Sequence, residues 1–212
     1  MAPKNMQKKA VRLILGSASP RRKELLDSLG VKFKVIKPDV DESILRGEDS
    51  EDYALRIATL KAGWVMAQII QEKSDVKASR FIVLSADTIV VLGKKILGKP
   101  RDANDAKKML RALSGKTHKV ITGISIILFD RKSRTKKKGE IQFSVTSCVT
   151  FKRLSAQDIS TYTASKEPLD KAGAYAVQGK AAYFVKSING SYTNVVGLPL
   201  TEVVEVLEKA FS

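Results

Sequence analysis

Leu13-Ile14-Leu15-Gly16-Ser17-Ala18-Ser19-Pro20-Arg21-Arg22 reads as an apolar strand, a turn of small residues and the start of a helix. Ser19 is suited to the N-cap and Pro20 to the first helical position. Arg21 and Arg22 then fall in the first turn, at the positive end of the helix dipole, where acidic residues are preferred. Arg22 occupies the third helical position, so the usual capping-box acid is absent. An anion would resolve the conflict, since free backbone N–H groups, two guanidinium forks and the hydroxyls of Ser17 and Ser19 together suit a phosphate. Two solvated surface arginines would also satisfy the pattern.

Outward from this segment, Leu13–Gly16 and Phe33–Lys37 read as strands around a helix from Pro20 to Leu29, which Gly30 stops. Asp39-Val40-Asp41-Glu42 is an acidic loop, and a longer helix begins near Ser50. Its apolar side runs Ala54, Ile57, Ala58, Trp64, Val65 and Ile69, with Lys61 in the middle of the stripe. A lysine there either snorkels or meets an anion. Phe81–Ser85 is a buried-type strand with Ala86-Asp87-Thr88 at its end, and Ile89–Leu92 resumes strand character. A helix runs from an Asp102 cap to Gly115; His118–Phe129 and Glu140–Arg153 form a hairpin around a basic loop; Ser155 caps a short helix to Ala164. Strands are expected at Ala174–Val177, Tyr183–Ile188 and Tyr192–Val196, with Asn189-Gly190 as a hairpin turn, before a last helix from Pro199 to Ala210.

With 212 residues, the chain has room for one large α/β domain or two small lobes sharing a cleft. No apolar run is long enough to cross a membrane, and no signal-peptide core follows the basic N-terminus. The single cysteine, Cys148, leaves no intrachain disulfide and suits a reducing, cytoplasmic compartment. With one histidine, His118, a metal would be held by carboxylates, phosphates and water, hence magnesium or manganese. The net charge of +16 admits nucleic acid, an anionic membrane surface or a polyanionic small molecule. Much of it lies in the tail, residues 1–11, and in the loop 131–138. Neither run interleaves aromatics, so stacking on single-stranded bases is not suggested, and both read as solvated segments.

Asp87 follows a buried apolar strand, where an ionisable group is costly without a partner or a task. At a strand end in an α/β sheet it would face the crevice where ligands bind, as a magnesium ligand or as the base that activates water; an Asx-turn is the alternative. Lys99, between Gly98 and Pro100, could meet a phosphate, and Gln178, before Gly179, could read a base edge or position water. Glu42 beside Asp41 suits a hard cation, although acidic loops are commonly just solvated. Gly115-Lys116-Thr117 is not a P-loop, because Leu110 stands where the motif needs glycine.

Taken together, Ser17-Ala18-Ser19-Pro20-Arg21-Arg22-Lys23-Glu24-Leu25-Leu26, Ser85-Ala86-Asp87-Thr88, Leu97-Gly98-Lys99-Pro100, Leu113-Ser114-Gly115-Lys116-Thr117-His118, Asp170-Lys171-Ala172-Gly173-Ala174-Tyr175-Ala176-Val177-Gln178-Gly179 and Asn189-Gly190-Ser191-Tyr192 resemble the Maf family. The resemblance spans Leu13 to Leu207 in the family's order. It implies an elongated, mixed α/β sheet with flanking helices and two lobes around a central cleft, in a single domain over 12–212. It implies a nucleoside triphosphate pyrophosphatase that needs a divalent metal (magnesium or manganese) and is often a homodimer. The family's functional positions fall on Ser17, Arg21, Arg22, Glu42, Lys61, Asp87, Lys99 and Gln178. The dTTP/UTP branch is indicated by the stretch from Tyr175 to Gly179, with Arg21, Thr88 and Gln178 at positions associated with that preference. This chain departs from common members in its longer basic loop and in Ala176, where many carry glycine.

The expected reaction is in-line attack of water on the α-phosphorus. Ser17, Ser19, Arg21 and Arg22 hold the triphosphate, Lys61 and Lys99 neutralise charge, Glu42 and Asp87 gather the metal, and Thr88 and Gln178 read the base. Two other enzyme or binding readings stand beside it: a 7-methyl-GTP-preferring pyrophosphatase, and a non-catalytic nucleotide- or nucleic-acid-binding regulator of cell division. Asp87 and Glu42 would repel a nucleic-acid backbone, although the loop 131–138 leaves such a contact open.

Overall fold

The computed structural model describes residues 11–71, 80–130, 132, 137–165 and 167–211. The basic tail up to residue 10 and residues 131 and 133–136 of the basic loop lie outside the described residues. In chain order the elements are β1 (Val11–Gly16), α1 (Pro20–Asp27), β2 (Phe33–Val35), α2 (Ser50–Gln71), β3 (Arg80–Leu92), β4 (Lys95–Leu97), α3 (Ala103–Leu113), β5 (Thr117–Asp130), β6 (Lys137–Phe151), α4 (Ala156–Ala164), β7 (Val185–Asn189), α5 (Tyr192–Val196) and α6 (Leu200–Phe211). The strands follow the order β2-β1-β3-β5-β6-β7, with β4 paired to β3. No described helix is long and apolar enough to cross a membrane. The chain divides into two compact units, one of Met1–Asp87, Gly123–Ser144 and Gly197–Ser212, the other of Thr88–Thr122 and Val145–Val196.

In the first unit β1 pairs in parallel with both β2 and β3, Gly16 standing opposite Ser85. Side chains alternate between faces along a strand. Leu13, Leu15, Ile82, Leu84 and Ala86 therefore pack with Leu26 of α1 and with Val203 and Leu207 of α6. Ile14, Phe81 and Val83 pack on the opposite face with Ala62, Val65 and Ile69 of α2. The first connection runs from β1 through α1 to β2 on one side of β1, and the second from β2 through α2 to β3 on its other side; this reversal creates a switch point, and the crevice outside the carboxyl end of β1 is where open α/β sheets bind ligands. The Ser17–Arg22 turn leaves β1 at that end, and Asp87 stands two residues past the partner of Gly16 on β3. Gly16 is required there: a Cβ would lie 2.2 Å from Ser85 Oγ and 3.1 Å from Val65 Cγ2.

The second unit is built around buried aromatics, Phe151, Tyr162, Tyr175 and Phe184, packed against Leu110 and Leu113 of α3. Asp102 caps α3 by accepting the Asp105 N–H at 2.8 Å, and Ser155 with Asp158 forms a full capping box on α4. β7 pairs antiparallel with β6.

Several expectations are corrected. Asp87 is not at a strand end, because β3 runs unbroken through it; the β-branched run Thr88-Ile89-Val90-Val91 keeps the backbone extended and pairs onward with β4. Ala174–Val177 is not a strand, since Gly173 and Ala174 adopt φ of 65° and 61°. Gly179–Phe184 is a 3₁₀ turn rather than the start of the strand. Tyr192–Val196 is helical, with Ser191 Oγ accepting the Asn194 N–H at 3.2 Å in the manner of an N-cap. Asn189-Gly190 accordingly ends β7 and leads into α5 instead of closing a hairpin.

Candidate active site

Ser19 caps α1 as expected, its hydroxyl accepting the Arg22 N–H at 3.4 Å. Ser17 is buried, and its Oγ accepts two hydrogen bonds, from the Ser19 N–H at 3.2 Å and from Arg22 Nη1 at 3.1 Å. A hydroxyl has two lone pairs and one proton, so Ser17 keeps its proton to give. Arg22 is buried rather than solvated, and its Nε donates to the Gly197 carbonyl at 2.8 Å. Burial lowers the Arg22 pKa, the carboxylates of Asp87 and Glu42 push it back up, and neighbouring Arg21 lowers it. Arg22 thus ties the turn to the segment before α6 and fixes Ser17, while Arg21 is half-buried.

Lys61 does not snorkel. On the α2 face of β3, reached by the alternation Phe81, Val83, Ser85, Asp87, its ammonium donates to Asp87 Oδ1 at 2.7 Å. The same nitrogen lies 2.8 Å from Glu42 Oε1. Lys61 and Asp87 are both buried, whereas the Glu42 side chain is 44% exposed. One cation therefore gathers two carboxylates that are 45 residues apart in the chain (87 − 42).

Glu42 lies in an irregular stretch between β2 and α2, and α2 holds it. The buried Tyr53 donates its hydroxyl to the Glu42 carbonyl at 2.8 Å. Burial and the nearby Asp87 and Glu42 charges push the Tyr53 pKa up to about 12, which keeps that proton in place. Arg56 donates to the Ser43 carbonyl at 2.9 Å and forks onto Glu48 through Nε and Nη2, at 2.5 and 2.8 Å. The sequence reading missed Tyr53 and Arg56. The spacing Tyr53, Ile57, Lys61 along one helix face was the available signal for the tyrosine.

The remaining expected residues stand in the second unit. Thr88 Oγ1 lies 3.0 Å from Thr122 Oγ1. Lys99 is exposed, on a loop tied down by the Gly173 N–H donating to the Gly98 carbonyl at 3.0 Å. Gln178 is exposed at the start of the 3₁₀ turn and makes no capping bond there.

Among the described residues no three His, Cys, Asp or Glu side chains come together as a metal site. The pair Glu42 and Asp87 nevertheless suits magnesium or manganese. Both are hard oxygen donors already aimed at one cationic point, and such ions commonly take one or two carboxylates and leave the rest of their sphere to substrate phosphates and water.

The family model described as Maf-like protein matches residues 12–210. A dTTP/UTP pyrophosphatase of Anaeromyxobacter dehalogenans (strain 2CP-C) is 46% identical over 201 residues, covering 95% of each chain. That of Geotalea uraniireducens is 48% identical, covering 93% of this chain and 94% of its own. That of Geobacter sulfurreducens is also 48% identical, covering 93% and 96%. A solved nucleoside-triphosphatase (dITP/XTP pyrophosphatase) from Mycobacterium abscessus shares 12% identity at a TM-score of 0.38, too low to bear on fold or function.

Proposed function

The chain belongs to the Maf family, and from that premise we propose that it is a nucleoside triphosphate pyrophosphatase that converts dTTP or UTP and water to the monophosphate and pyrophosphate. The observation that carries this reading is the buried Lys61 ammonium joining Glu42 and Asp87 beside the Ser17–Arg22 turn. The names of the 46–48% identical relatives support the substrate.

Water adds to the α-phosphorus as the bond to the bridging α–β oxygen breaks, and pyrophosphate departs with that oxygen. The Ser17 hydroxyl, the first amides of α1 and Arg21 bind phosphate oxygens, with Ser19 capping the helix and Arg22 holding Ser17 in place. Asp87 orients or deprotonates the attacking water. Lys61 both positions Asp87 and Glu42 and offsets negative charge as it builds. Lys99 acts on phosphate charge, and Thr88 and Gln178 on the base, roles supported by the family motifs. Glu42 and Asp87 would hold a magnesium or manganese ion, which supplies Lewis-acid neutralisation of phosphate oxygens. The single Cys148 supports a cytoplasmic setting, and the family resemblance supports a homodimer.

The test is pyrophosphate release from dTTP, UTP, CTP, GTP and 7-methyl-GTP, with and without magnesium or manganese. Metal-dependent release led by dTTP and UTP is expected. A lead for 7-methyl-GTP would keep the reaction and overturn the branch; no release from any of them by folded protein would overturn the reaction.

A further inference from the structure

The Lys61 ammonium stands 2.7 Å from Asp87 Oδ1 and 2.8 Å from Glu42 Oε1. A metal ion chelated by both carboxylates would need the same place, since magnesium binds its oxygens at about 2.1 Å. The Coulomb balance sharpens that competition. Arg22 is a second cation near both carboxylates, each of which raises its pKa. Two carboxylates, Lys61 and Arg22 already sum to no net charge. A divalent ion added on top would leave two positive charges among largely buried groups, a cost that falls once a cation withdraws.

Of the two cations, Arg22 is the fixed one: it is buried, with Nε on the Gly197 carbonyl and Nη1 on Ser17 Oγ. The ammonium of Lys61 is bonded to Asp87 and Glu42, the two groups a metal would claim. Its flexible four-carbon stem lets the charge swing away while the backbone stays in α2. The Glu42 side chain is 44% exposed, against 10% and 11% for Lys61 and Asp87, so an ion reaches the group from the Glu42 side.

We infer that Lys61 and the divalent metal are alternative occupants of the point between Glu42 and Asp87, so that metal entry displaces the ammonium. The inference rests on the pyrophosphatase reading, in which these carboxylates hold the metal. The exchange makes the protein a weak binder of metal by itself. It ties metal entry to the triphosphate, whose oxygens complete the metal's sphere and take up the released lysine.

The experiment measures manganese affinity without nucleotide, from the electron paramagnetic resonance signal of the free ion, in the unaltered protein, in Lys61→Met and in Lys61→Met/Asp87→Leu. Lys61→Met should bind manganese at least about tenfold more tightly, because a unit charge about 4 Å from a divalent ion costs that much even at the dielectric of water. The double variant should lose the gain. Equal or weaker binding by Lys61→Met would mean that the lysine only organises the carboxylates, and overturns the inference. A gain that survives Asp87→Leu lies at another site and overturns it too. Metal-dependent pyrophosphate release by the unaltered protein is measured alongside. Release without the gain overturns the exchange alone, whereas a gain without release supports the exchange and overturns the pyrophosphatase reading. Should Lys61→Met not fold, acetylation of Lys61 in the unaltered protein, read by mass spectrometry, asks the same question. Rising magnesium should increase labelling of Lys61 relative to the exposed Lys108. An unchanged ratio overturns the inference equally.

Discussion

The ammonium of Lys61 donates to Asp87 Oδ1 across 2.7 Å, and the two side chains are only 10% and 11% exposed. Lys61 has a second partner in Glu42, so the three groups form one unit whose parts do not vary independently.

Asp87→Asn should lower kcat about a hundred-fold or more, the scale of a lost general base, with the fold intact by circular dichroism. Full turnover by the folded variant would remove Asp87 from the chemistry. In urea denaturation Lys61→Met should cost about 3 kcal/mol, the low end for breaking a buried pair, since it leaves two carboxylates without their cation. Lys61→Met/Asp87→Leu should cost less than the sum of the single changes, because no buried charge is then left unpartnered.

Tyr53→Phe removes only the hydroxyl that holds the Glu42 carbonyl. If Tyr53 acts through Glu42, the variant lowers kcat/KM about tenfold, the scale of one lost positioning bond, and adds little further loss on top of Glu42→Gln. Fully additive losses in that double-mutant cycle would show that the tyrosine does not act through Glu42.

Gly16→Ala should destabilise the protein or prevent its folding, because the new methyl would lie 2.2 Å from Ser85 Oγ. Ser85 Oγ is buried and has no hydrogen-bond partner, so Ser85→Ala gives up little. The double change Gly16→Ala/Ser85→Ala should therefore recover much of the lost melting temperature. A double variant no better than Gly16→Ala would place the obstacle elsewhere.

His118 is 2% exposed, with Nε2 2.7 Å from the Tyr175 hydroxyl and Nδ1 without a partner. Burial lowers its pKa to about 4, from an ordinary value of 6.5. Between those values the unfolded chain binds a proton that the folded one refuses, so stability falls as pH drops from about 6.5 to about 4 and this contribution is fully lost below. The loss from this group is about 3 kcal/mol. Stability curves measured by urea at several pH values should show that slope, and His118→Gln should flatten it. An equal slope in the glutamine variant would assign it to other groups.

The first unit was legible because its signals are local. An apolar strand, a Ser-Pro helix start and alternating strand residues each act within a few positions, and β1, α1 and α2 form where the sequence indicated them, as do the equally local Asp102 and Ser155 caps of the second unit. The carboxy-terminal third of the second unit was less legible. The φ of 61° at Ala174 and the helix at Tyr192–Val196 depend on contacts made by distant residues, among them Asn194 with Val120 and Ser147.

The sequence by itself determined the α/β class, the family and the chemical inventory of the candidate site: hydroxyls and arginines at a helix start, and carboxylates and lysines in motifs. Tertiary structure alone decided what each of those groups faces. Lys61 lies in an apolar helix stripe, and only the packing of α2 on β3 shows that it meets Asp87 and Glu42. Arg21 and Arg22 are adjacent in sequence, yet Arg22 is spent on Gly197 and Ser17. The Thr88 hydroxyl lies 3.0 Å from that of Thr122, 34 residues further on, a contact that no local pattern announces. The physical reason is the same in each case: propensity and periodicity act over a few residues along the chain, whereas a hydrogen bond or an ion pair depends only on distance in space.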